Sequence, residues 1–407
     1  MSFNNNYLPL KPSKEVLDII SYCFYLENKG DTTARRNAMK ILKDHLILTK
    51  DGSYTLESAQ IQGNCETMHT HHGAIEESLN KFVIPSKLEN KDQVKILDIC
   101  SGLGYNAAAA IDYLKKINPN VAIEIDMVEI SKETLAASLL IPNPLPSYQI
   151  IKKNVEDSLY NEGFLKYKQV KNEKRNSFAN VKINIFYDDA RMVIKDLERF
   201  DYDAVFLDPF SPSKSPELYT VEFFKYLKDN VKKDGIISTY TSAAPIRSAF
   251  IEAGFHVGEG PSFGRIGGTL ASLSLDNIKK PLSIADERMI ALSDAGIPFS
   301  DYKLGSSSKE IIKLRDKKRR MVRGIEKLPS TVKTPVYLGE DIDNQRLKRR
   351  VLKNLNKMNI SGLKSIKARY LVCPQFQECF CGCGIGRLGS SKDRIEEMKK
   401  RLEIIIN

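Results

Sequence analysis

The sequence predicts an α/β protein built on a Rossmann-like, doubly wound parallel sheet, with helices before it and a basic, mainly helical region after it. Three observations lead to this fold class. Short apolar runs alternate with helical patterns from Lys95 onward, a glycine-containing turn follows the first run, and the strand pattern fades beyond Leu275. Alternating β and α segments of this length form parallel sheets with right-handed crossovers. We expect three parts in the 407 residues, namely 1–60, 61–275 and 276–407.

The N-terminal part is expected to be largely helical. Apolar residues recur at helical spacing between residues 13 and 47, and Gly30-Asp31 interrupts this pattern, so two amphipathic helices are predicted. Asp51-Gly52 follows between β-prone residues, a sequence that is typical of a hairpin turn.

Five apolar segments predict the parallel strands. In chain order they are residues 95–99, 121–130, 182–189, 203–208 and 235–241. Residues 141–180 are less regular and resemble an insertion with helical pieces, whereas 256–264 and 266–275 suggest a closing antiparallel pair. Charged helical segments are then predicted at 309–328, 344–358 and 391–405.

Composition excludes several classes of protein. Hydrophobic residues make up 42% of the chain and charged residues 28%, so a sizeable core can form and full disorder is excluded. No apolar run approaches the roughly 18 residues that span a bilayer, and the start MSFNNN lacks the basic and apolar parts of a signal peptide. Seven cysteines are few for a disulfide scaffold of this size. We therefore expect a cytoplasmic protein without a membrane partner.

The positive charge is confined to the last quarter of the chain. Residues 301–407 hold 26 Lys/Arg and 12 Asp/Glu, a local net charge of +14, whereas the whole chain has +11 and residues 1–300 therefore have −3. A near-neutral catalytic body followed by a basic region suits an enzyme that acts on a polyanion. A solvated, lysine-rich tail explains the same charge equally well.

A turn with polar and small residues follows the first predicted strand, in the sequence DICSGLGYNAA. Asp98, Gly102, Gly104 and Asn106 lie where this strand leads into its helix. Ligands of open α/β sheets bind at the carboxyl ends of the strands, where glycines allow the backbone to approach a ligand and a carboxylate can hold a polar group. A tight structural turn accounts for a single G-x-G about as well.

Two further acids end neighbouring predicted strands. Glu129 ends the second strand, where a carboxylate can accept both hydroxyls of a ribose, and Asp189 in YDDAR can accept from an adenine amino group. Each acid alone is more often a helix N-cap than a ligand. Together with Asp98, however, they place three acids at one edge of the sheet. The absence of a third glycine disfavours a dinucleotide and favours an adenosine ligand without pyrophosphate, such as S-adenosylmethionine.

The segment FLDPFSPSKSPELYT, residues 206–220, is the most specific signal. Asp208 ends a predicted strand and is followed by Pro-Phe-Ser-Pro, which restricts rotation of the backbone in the loop. An acid on such a loop can face a reacting group beside a cofactor. A role as cap for a helix starting at Pro216 is the alternative, although eight residues separate the two.

These motifs resemble the MnmC-type tRNA methyltransferases. In chain order the matching stretches are DGSYTL, MHTHHGAIEE, LDICSGLGYN, YDDAR, FLDPFSPSKSPELY, TYTSAAPIRSAFIEAGF and a Gly-Arg-Ile-Gly-Gly turn. The resemblance covers roughly residues 48–275 and implies a class I methyltransferase sheet. It further implies an S-adenosylmethionine-dependent enzyme that methylates the 5-aminomethyl group of wobble uridine 34 in tRNA. Bifunctional members add a flavin-dependent oxidase, for which the sequence shows no motif, so only the methyl-transfer step is expected of this stand-alone, archaeal-type member.

The resemblance also assigns residues. It implies that the cofactor is bound by Gly102, Gly104, Glu129 and Asp189, and that Asp208 is the catalytic carboxylate. Further matches to the family's motifs are His69, Tyr105, Asn106, Arg247 and Arg265. Cys100-Ser101 departs from the Gly-Phe that relatives often have before Gly102.

A tRNA partner would be held through the phosphates of its backbone. The expected contacts are Arg315, Lys317, Lys318, Arg319, Arg320 and Arg323, then Lys348, Arg349 and Arg350, with Lys313 and Arg346 beside them. For any one of these residues a solvated helix face is the commoner role.

Two questions stay open at the level of sequence. Cys373, Cys379, Cys381 and Cys383 are dense enough to hold zinc or an iron–sulfur cluster, but their spacing matches no standard finger, and reduced thiols are the alternative. A polyamine aminopropyltransferase shares the expected fold, and a non-catalytic RNA-binding protein is the other alternative. The oligomeric state is not predicted.

Overall fold

The computed structural model describes residues 10–60, 65–142, 144–171, 178–197, 201–264 and 267–406. In these residues the strands are β1 (Ile47–Leu48), β2 (Tyr54–Thr55), β3 (Gln93–Ile99), β4 (Ala122–Val128), β5 (Val181–Phe186), β6 (Tyr202–Leu207), β7 (Val231–Thr239), β8 (His256–Glu259) and β9 (Thr269–Ser272). The mixed α/β class and the positions of the main strands are thereby confirmed.

Helices precede, separate and follow these strands. In chain order they are α1 (Lys14–Asn28), α2 (Ala34–Leu42), α3 (Ala74–Ser78), α4 (Tyr105–Ile117), α5 (Lys132–Ala137), α6 (Tyr148–Asn161), α7 (Ala190–Asp196), α8 (Val221–Asn230), α9 (Ala244–Glu252), α10 (Ile284–Leu292), α11 (Ser308–Val322), α12 (Gln345–Asn356), α13 (Ile366–Val372) and α14 (Ser391–Ile406). In the part of the chain that the structure describes, none of them is long and apolar enough to cross a membrane.

The order of strands in the main sheet creates the place where a ligand can bind. The seven strands run β5-β4-β3-β6-β7-β9-β8, and the first five are parallel, whereas β9 pairs antiparallel with both β7 and β8. The chain moves outward from β3 to β5 and returns to place β6 beside β3. Ile99 of β3 is thus opposite Leu207 of β6. This reversal opens a crevice at the carboxyl ends of β3 and β6.

Most deviations from the predicted elements are shifts of a few residues at their ends. The helix predicted over 309–328 ends at Val322, because Arg323 has an extended backbone and Gly324 follows with φ of +75°. A glycine in the left-handed region just after a helix is a common stop signal. The predicted hairpin at Asp51-Gly52 is confirmed by the antiparallel pairing of β1 with β2.

Helices cover both faces of the main sheet. One core cluster contains residues of α1, α2 and α4 against the sheet, and the other joins β6 and β7 to α8, α9, α10 and the C-terminal helices. The second cluster is continuous from Leu97 in β3 to Leu402 in α14. The C-terminal region is therefore packed onto the sheet through a shared apolar core.

A buried ion pair fixes α14 on α10. Arg394 donates to Glu287 at 2.6 Å and 3.0 Å, and both side chains are almost fully buried. Ser391 and Gln375 also donate to this carboxylate, at 2.7 Å and 2.8 Å. Glu287 thus has four donors where water is excluded.

We expect the substitution Arg394→Met to destabilise the fold by about 3–5 kcal/mol, because it leaves the Glu287 carboxylate buried without its counter-charge. Equilibrium urea unfolding measures this change in the free energy of unfolding. Lys400→Met, at an exposed position of the same helix, should leave the midpoint nearly unchanged. Equal midpoints for the two variants would show that the pair contributes little.

Candidate active site

A pocket of about 920 Å³, including its open mouth, lies at the carboxyl edge of the sheet. Four of the residues predicted to form a site line its wall: Gly102, Glu129, Asp189 and Asp208. Asp98 and Asn106 lie just behind them, since Asn106 bonds to both Asp98 and Asp208. The structure therefore brings the acids at the ends of three strands together around one cavity.

The turn after β3 owes its shape to glycines. Gly102 and Gly104 have φ of +53° and +81°, in the left-handed region that side chains disfavour. Gly104 forms the N-cap of α4, and a Cβ there would lie 2.8 Å from Ile151. The turn thus presents backbone to the pocket. Cys100 also has a positive φ, +63°, and its side chain lines the pocket.

Asn106 joins two carboxylates across the crevice. Its amide nitrogen donates to Asp208 at 3.2 Å and to Asp98 at 3.4 Å. Asp98 is completely buried, and its second carboxylate oxygen has no hydrogen-bond partner among the described residues. Burial raises the pKa of Asp98 to about 7. The bridge holds Asp208 at the pocket wall while keeping Asp98 away from water.

Glu129 ties the end of β4 to the glycine turn. One carboxylate oxygen accepts from the backbone N–H of Gly102 and the other from that of Ser131, both at 3.1 Å. Burial raises the pKa of this carboxyl group. Because both bonds come from backbone, the carboxylate has a fixed orientation at the pocket wall. The apolar part of the wall beside it includes Val128, Ile130, Ala190 and Leu218.

Asp189 is the N-cap of α7. A helix N-cap is the alternative role that the sequence allowed for each acid at the end of a strand. Its carboxylate accepts from the backbone of Arg191 at 2.9 Å and from its guanidinium at 2.8 Å. Arg191 is itself held by Asp301 and by the carbonyl of Ser306, each at 2.9 Å. Asp189 thus lines the pocket but is directed toward Arg191, whereas Asp188 beside it is exposed and also lines the cavity.

The loop after Asp208 is fastened to the segment that precedes His69. Glu66 accepts hydrogen bonds from the backbone and the hydroxyl of Ser211. Phe210 and Pro209, which precede Ser211, line the pocket. Sequence reasoning did not single out Glu66, although it lies in the same stretch of chain as His69.

Glu217 is a second acid that the sequence did not reveal. It is buried at the pocket wall and accepts from the Ser308 hydroxyl at 2.8 Å. Burial raises the pKa of its carboxyl group. Ser308 begins α11, so this bond brings the start of the basic helix to the pocket. No local sequence pattern indicates a contact between residues that are 91 positions apart.

The other residues matched by resemblance support the surroundings of the pocket. His69 lines it and packs edge-on against Tyr105, whose hydroxyl donates to the carbonyl of Tyr54 at 2.8 Å. Arg247 is buried and binds Asp286 and the carbonyl of Gly268. Arg265 lies outside the described residues.

The predicted RNA-contacting residues divide into two groups. Arg315 donates to two carbonyls and stacks on Phe299, and Arg319 and Arg323 pair with buried Asp294. These three guanidiniums anchor α11 to the rest of the protein. A fourth side chain, Lys318, donates to the Tyr302 hydroxyl at 2.9 Å.

The remaining basic side chains are directed to solvent. Exposed on α11 are Lys309, Lys313, Lys317 and Arg320, and on α12 Arg346, Arg349, Arg350 and Lys353. Lys348 is partly buried. The exposed residues of α11 recur at intervals of three and four, so they form one face. Lys357, after α12, lies against Gly324, which brings the ends of the two helices together.

The four C-terminal cysteines lie outside the pocket. Cys373 follows α13 directly, and the other three are in the loop that leads to α14. Their sulfur atoms lie within 4.8 Å of one another.

Comparison with known proteins identifies the family of the chain. A family model described as S-adenosyl-L-methionine-dependent methyltransferase matches residues 153–274. The uncharacterized protein MJ0670 of Methanocaldococcus jannaschii is 34% identical over 361 residues, which are 88% of this chain and 94% of that protein.

The other relatives carry a more specific name. The crystal structure of MnmC2 from Aquifex aeolicus is similar with a TM-score of 0.54 and 29% identity, over 77% of this chain and all of that chain. The tRNA 5-methylaminomethyl-2-thiouridine biosynthesis bifunctional protein MnmC of an Azoarcus species is 31% identical over 119 residues, 29% of this chain and 19% of that protein. This chain therefore matches about a fifth of the bifunctional enzyme.

We expect Asp98→Asn to stabilise the protein increasingly as the pH rises from 4 to 7. Because the pKa of Asp98 is about 7 when folded and near 3.9 when unfolded, its stabilising contribution is present below about pH 4 and lost as the pH rises through 7. Asparagine stays neutral, so the variant should gain on the order of 2–4 kcal/mol relative to the wild type. Urea unfolding at several pH values tests this, and a pH-independent difference would contradict it.

Proposed function

The chain belongs to the MnmC-type family of S-adenosylmethionine-dependent methyltransferases, and we propose that it methylates the 5-aminomethyl group of the wobble uridine in tRNA. The observation that carries this proposal is the convergence of Glu129 and Asp208, the latter held by Asn106 from behind, on one pocket at the reversal point of the sheet. The exposed basic face of α11, which begins at the wall of this pocket, supports a polyanionic substrate.

The pocket has the features that an adenosyl group needs. It combines a fixed carboxylate, Glu129, with apolar side chains that can enclose a base, and with a glycine turn that exposes backbone. We propose that Glu129 accepts the ribose hydroxyls and that Gly102 lets the backbone approach the ligand. Asp189 is engaged by Arg191, so its proposed contact with the adenine requires a shift of that pair or a contribution from Asp188. S-adenosylmethionine, when bound, would supply a sulfonium methyl group: the carbon–sulfur bond breaks as the amine nitrogen bonds to the methyl carbon in line, S-adenosylhomocysteine leaves, and a proton passes from the nitrogen to solvent.

Asp208 is the proposed catalytic carboxylate. A primary amine attacks only through its lone pair, so its free form has to be held with that lone pair directed at the methyl carbon. Asp208 can accept hydrogen bonds from the N–H groups of the amine and so orient the nitrogen. Asn106 fixes the carboxylate by donating to it at 3.2 Å. Orientation is the role we assign, because a carboxylate beside an ammonium also stabilises the protonated form.

A wobble uridine is accessible to such a pocket. It lies in a single-stranded loop, where a base can be turned outward without breaking a pair. Phe210 and His69 lie at the pocket wall, where an aromatic side chain can contact an inserted base. The basic face of α11, made of Lys309, Lys313, Lys317 and Arg320, would then hold the phosphates of the anticodon arm.

We expect Asp208→Asn to reduce methyl transfer to hypomodified tRNA by about a hundredfold, since misplacing a reacting group by about 1 Å can cost that much. Binding of S-adenosylmethionine, measured by calorimetry, should persist. Glu129→Gln should instead weaken the binding of S-adenosylmethionine. Its weaker hydrogen bonding to the ribose should reduce the affinity about 10-fold or more. Normal turnover in Asp208→Asn would remove this residue from the mechanism.

The basic face of α11 should determine the salt dependence of tRNA binding. We expect Lys317→Gln with Arg320→Gln to weaken binding and to reduce the slope of log K against log salt by about one for each phosphate that the protein no longer neutralises. The matched control is Lys116→Gln with Lys182→Gln, two exposed lysines at the amino edge of the sheet. Equal effects of the two double variants, in filter binding at several salt concentrations, would contradict the assignment.

A further inference from the structure

The four C-terminal cysteines form a compact group of sulfur atoms. The Cys379 sulfur lies 3.9 Å from that of Cys381 and 3.8 Å from that of Cys383. Cys373 completes the group, in which all four sulfur atoms are within 4.8 Å of one another. The separations are much longer than the roughly 2.05 Å of a disulfide, so the group consists of four free thiols. The structure thus brings together the four cysteines that the sequence had grouped as candidate metal ligands.

The dimensions of this group fit one tetrahedral metal ion. Zinc binds thiolates at about 2.3 Å, which places the sulfur atoms of a regular tetrahedron roughly 3.8 Å apart. Two of the sulfur separations have this value within 0.1 Å. An iron–sulfur cubane would need wider spacing, because each thiolate binds a different iron atom. Among the metals that thiolates select, zinc suits a closed S₄ tetrahedron.

The local backbone explains how closely spaced cysteines can share one ion. Cys379, Cys381 and Cys383 occupy alternate positions of one short loop. Gly382 and Gly384 have φ of +89° and +73°, so the loop bends on both sides of Cys383 and brings the three sulfur atoms together. These two glycines thus accommodate the C-x-C spacing.

Hydrogen-bond donors lie close to two of the sulfur atoms, as is usual for metal-bound thiolates. The backbone N–H of Gly384 donates to the Cys379 sulfur at 3.2 Å, and the guanidinium of Arg401 lies 3.5 Å from that of Cys383. Arg401 is buried and also donates to the Glu397 carboxylate and to the carbonyl of Tyr370 in α13, each at 2.8 Å. Donors and a cation of this kind stabilise negative charge on sulfur and orient metal ligands.

We propose that Cys373, Cys379, Cys381 and Cys383 form a structural zinc site that fastens the loop between α13 and α14. Each thiol that is still protonated releases its proton to solvent as its sulfur binds the ion. The four-thiolate site carries a net charge of −2, which Arg401 partly offsets. The site is closed, with no position for a water or a substrate, so its role is in folding rather than in methyl transfer.

The test uses the full chain, purified without chelators. Elemental analysis should find about one zinc per chain, and zinc should be lost from the double variant Cys379→Ser with Cys383→Ser. The matched control is Cys65→Ser, which changes an exposed cysteine outside the group. This variant protein should retain about one zinc per chain. Removing zinc should also lower the melting temperature of the wild type, with recovery on adding zinc alone.

A second measurement needs no variant and remains decisive if the double variant fails to fold. Chain freed of metal and then given cobalt should show the charge-transfer and d–d absorption bands of a tetrahedral four-thiolate cobalt site. Three results would overturn the proposal: no uptake of zinc or cobalt, zinc retained by the double variant, or the visible absorption of an iron–sulfur cluster. None of these readouts depends on methyltransferase activity.

Discussion

The hydrogen-bond bridge from Asp98 through Asn106 to Asp208 is the interaction on which the pocket depends. It joins the ends of β3 and β6, the two strands between which the chain reverses direction. Placing the buried Asp98 carboxylate near that of the partly exposed Asp208 is unfavourable unless donors compensate for the lost water. A single amide serves both, and Asp98 reduces the remaining cost by holding its proton up to about pH 7. The position of Asp208 at the pocket wall is therefore linked, through Asn106, to the protonation state of Asp98.

The C-terminal region also contacts the pocket wall. α11 starts at the pocket wall through Ser308 and is held along its inner side by Arg315 and Arg319. Basic residues therefore have two separate tasks on one helix, since those directed inward fix its position and those directed outward provide the exposed charge. A net charge counted over the region combines the two and therefore exceeds the charge on the solvent-facing side of the helix.

Sequence patterns predicted what local chemistry determines. The apolar runs indicated the strands, the glycines indicated the turn after β3, and acids at strand ends placed Glu129 and Asp208 at one edge, because parallel strands end on the same side. Sequence patterns did not predict contacts between segments that are far apart in the chain. Glu217 meets Ser308 and Glu66 meets Ser211 only after the chain has folded, and Asp189 was expected to face a ligand but caps α7. The capping role is local, and the sequence alone left both roles open.

The cysteine group shows why a tetrahedral site has to be judged by geometry. Three of its members alternate in a short loop and the fourth follows α13, so their spacing matches no standard motif. Folding nevertheless brings the sulfur atoms to the separations that one ion needs. Arg401 connects this group to α13 and α14, and Arg394 connects α14 to α10. The same two helices thus join the loop to the apolar core that supports the sheet. The cysteine loop and the pocket are therefore both supported by the apolar core that α14 shares with the sheet.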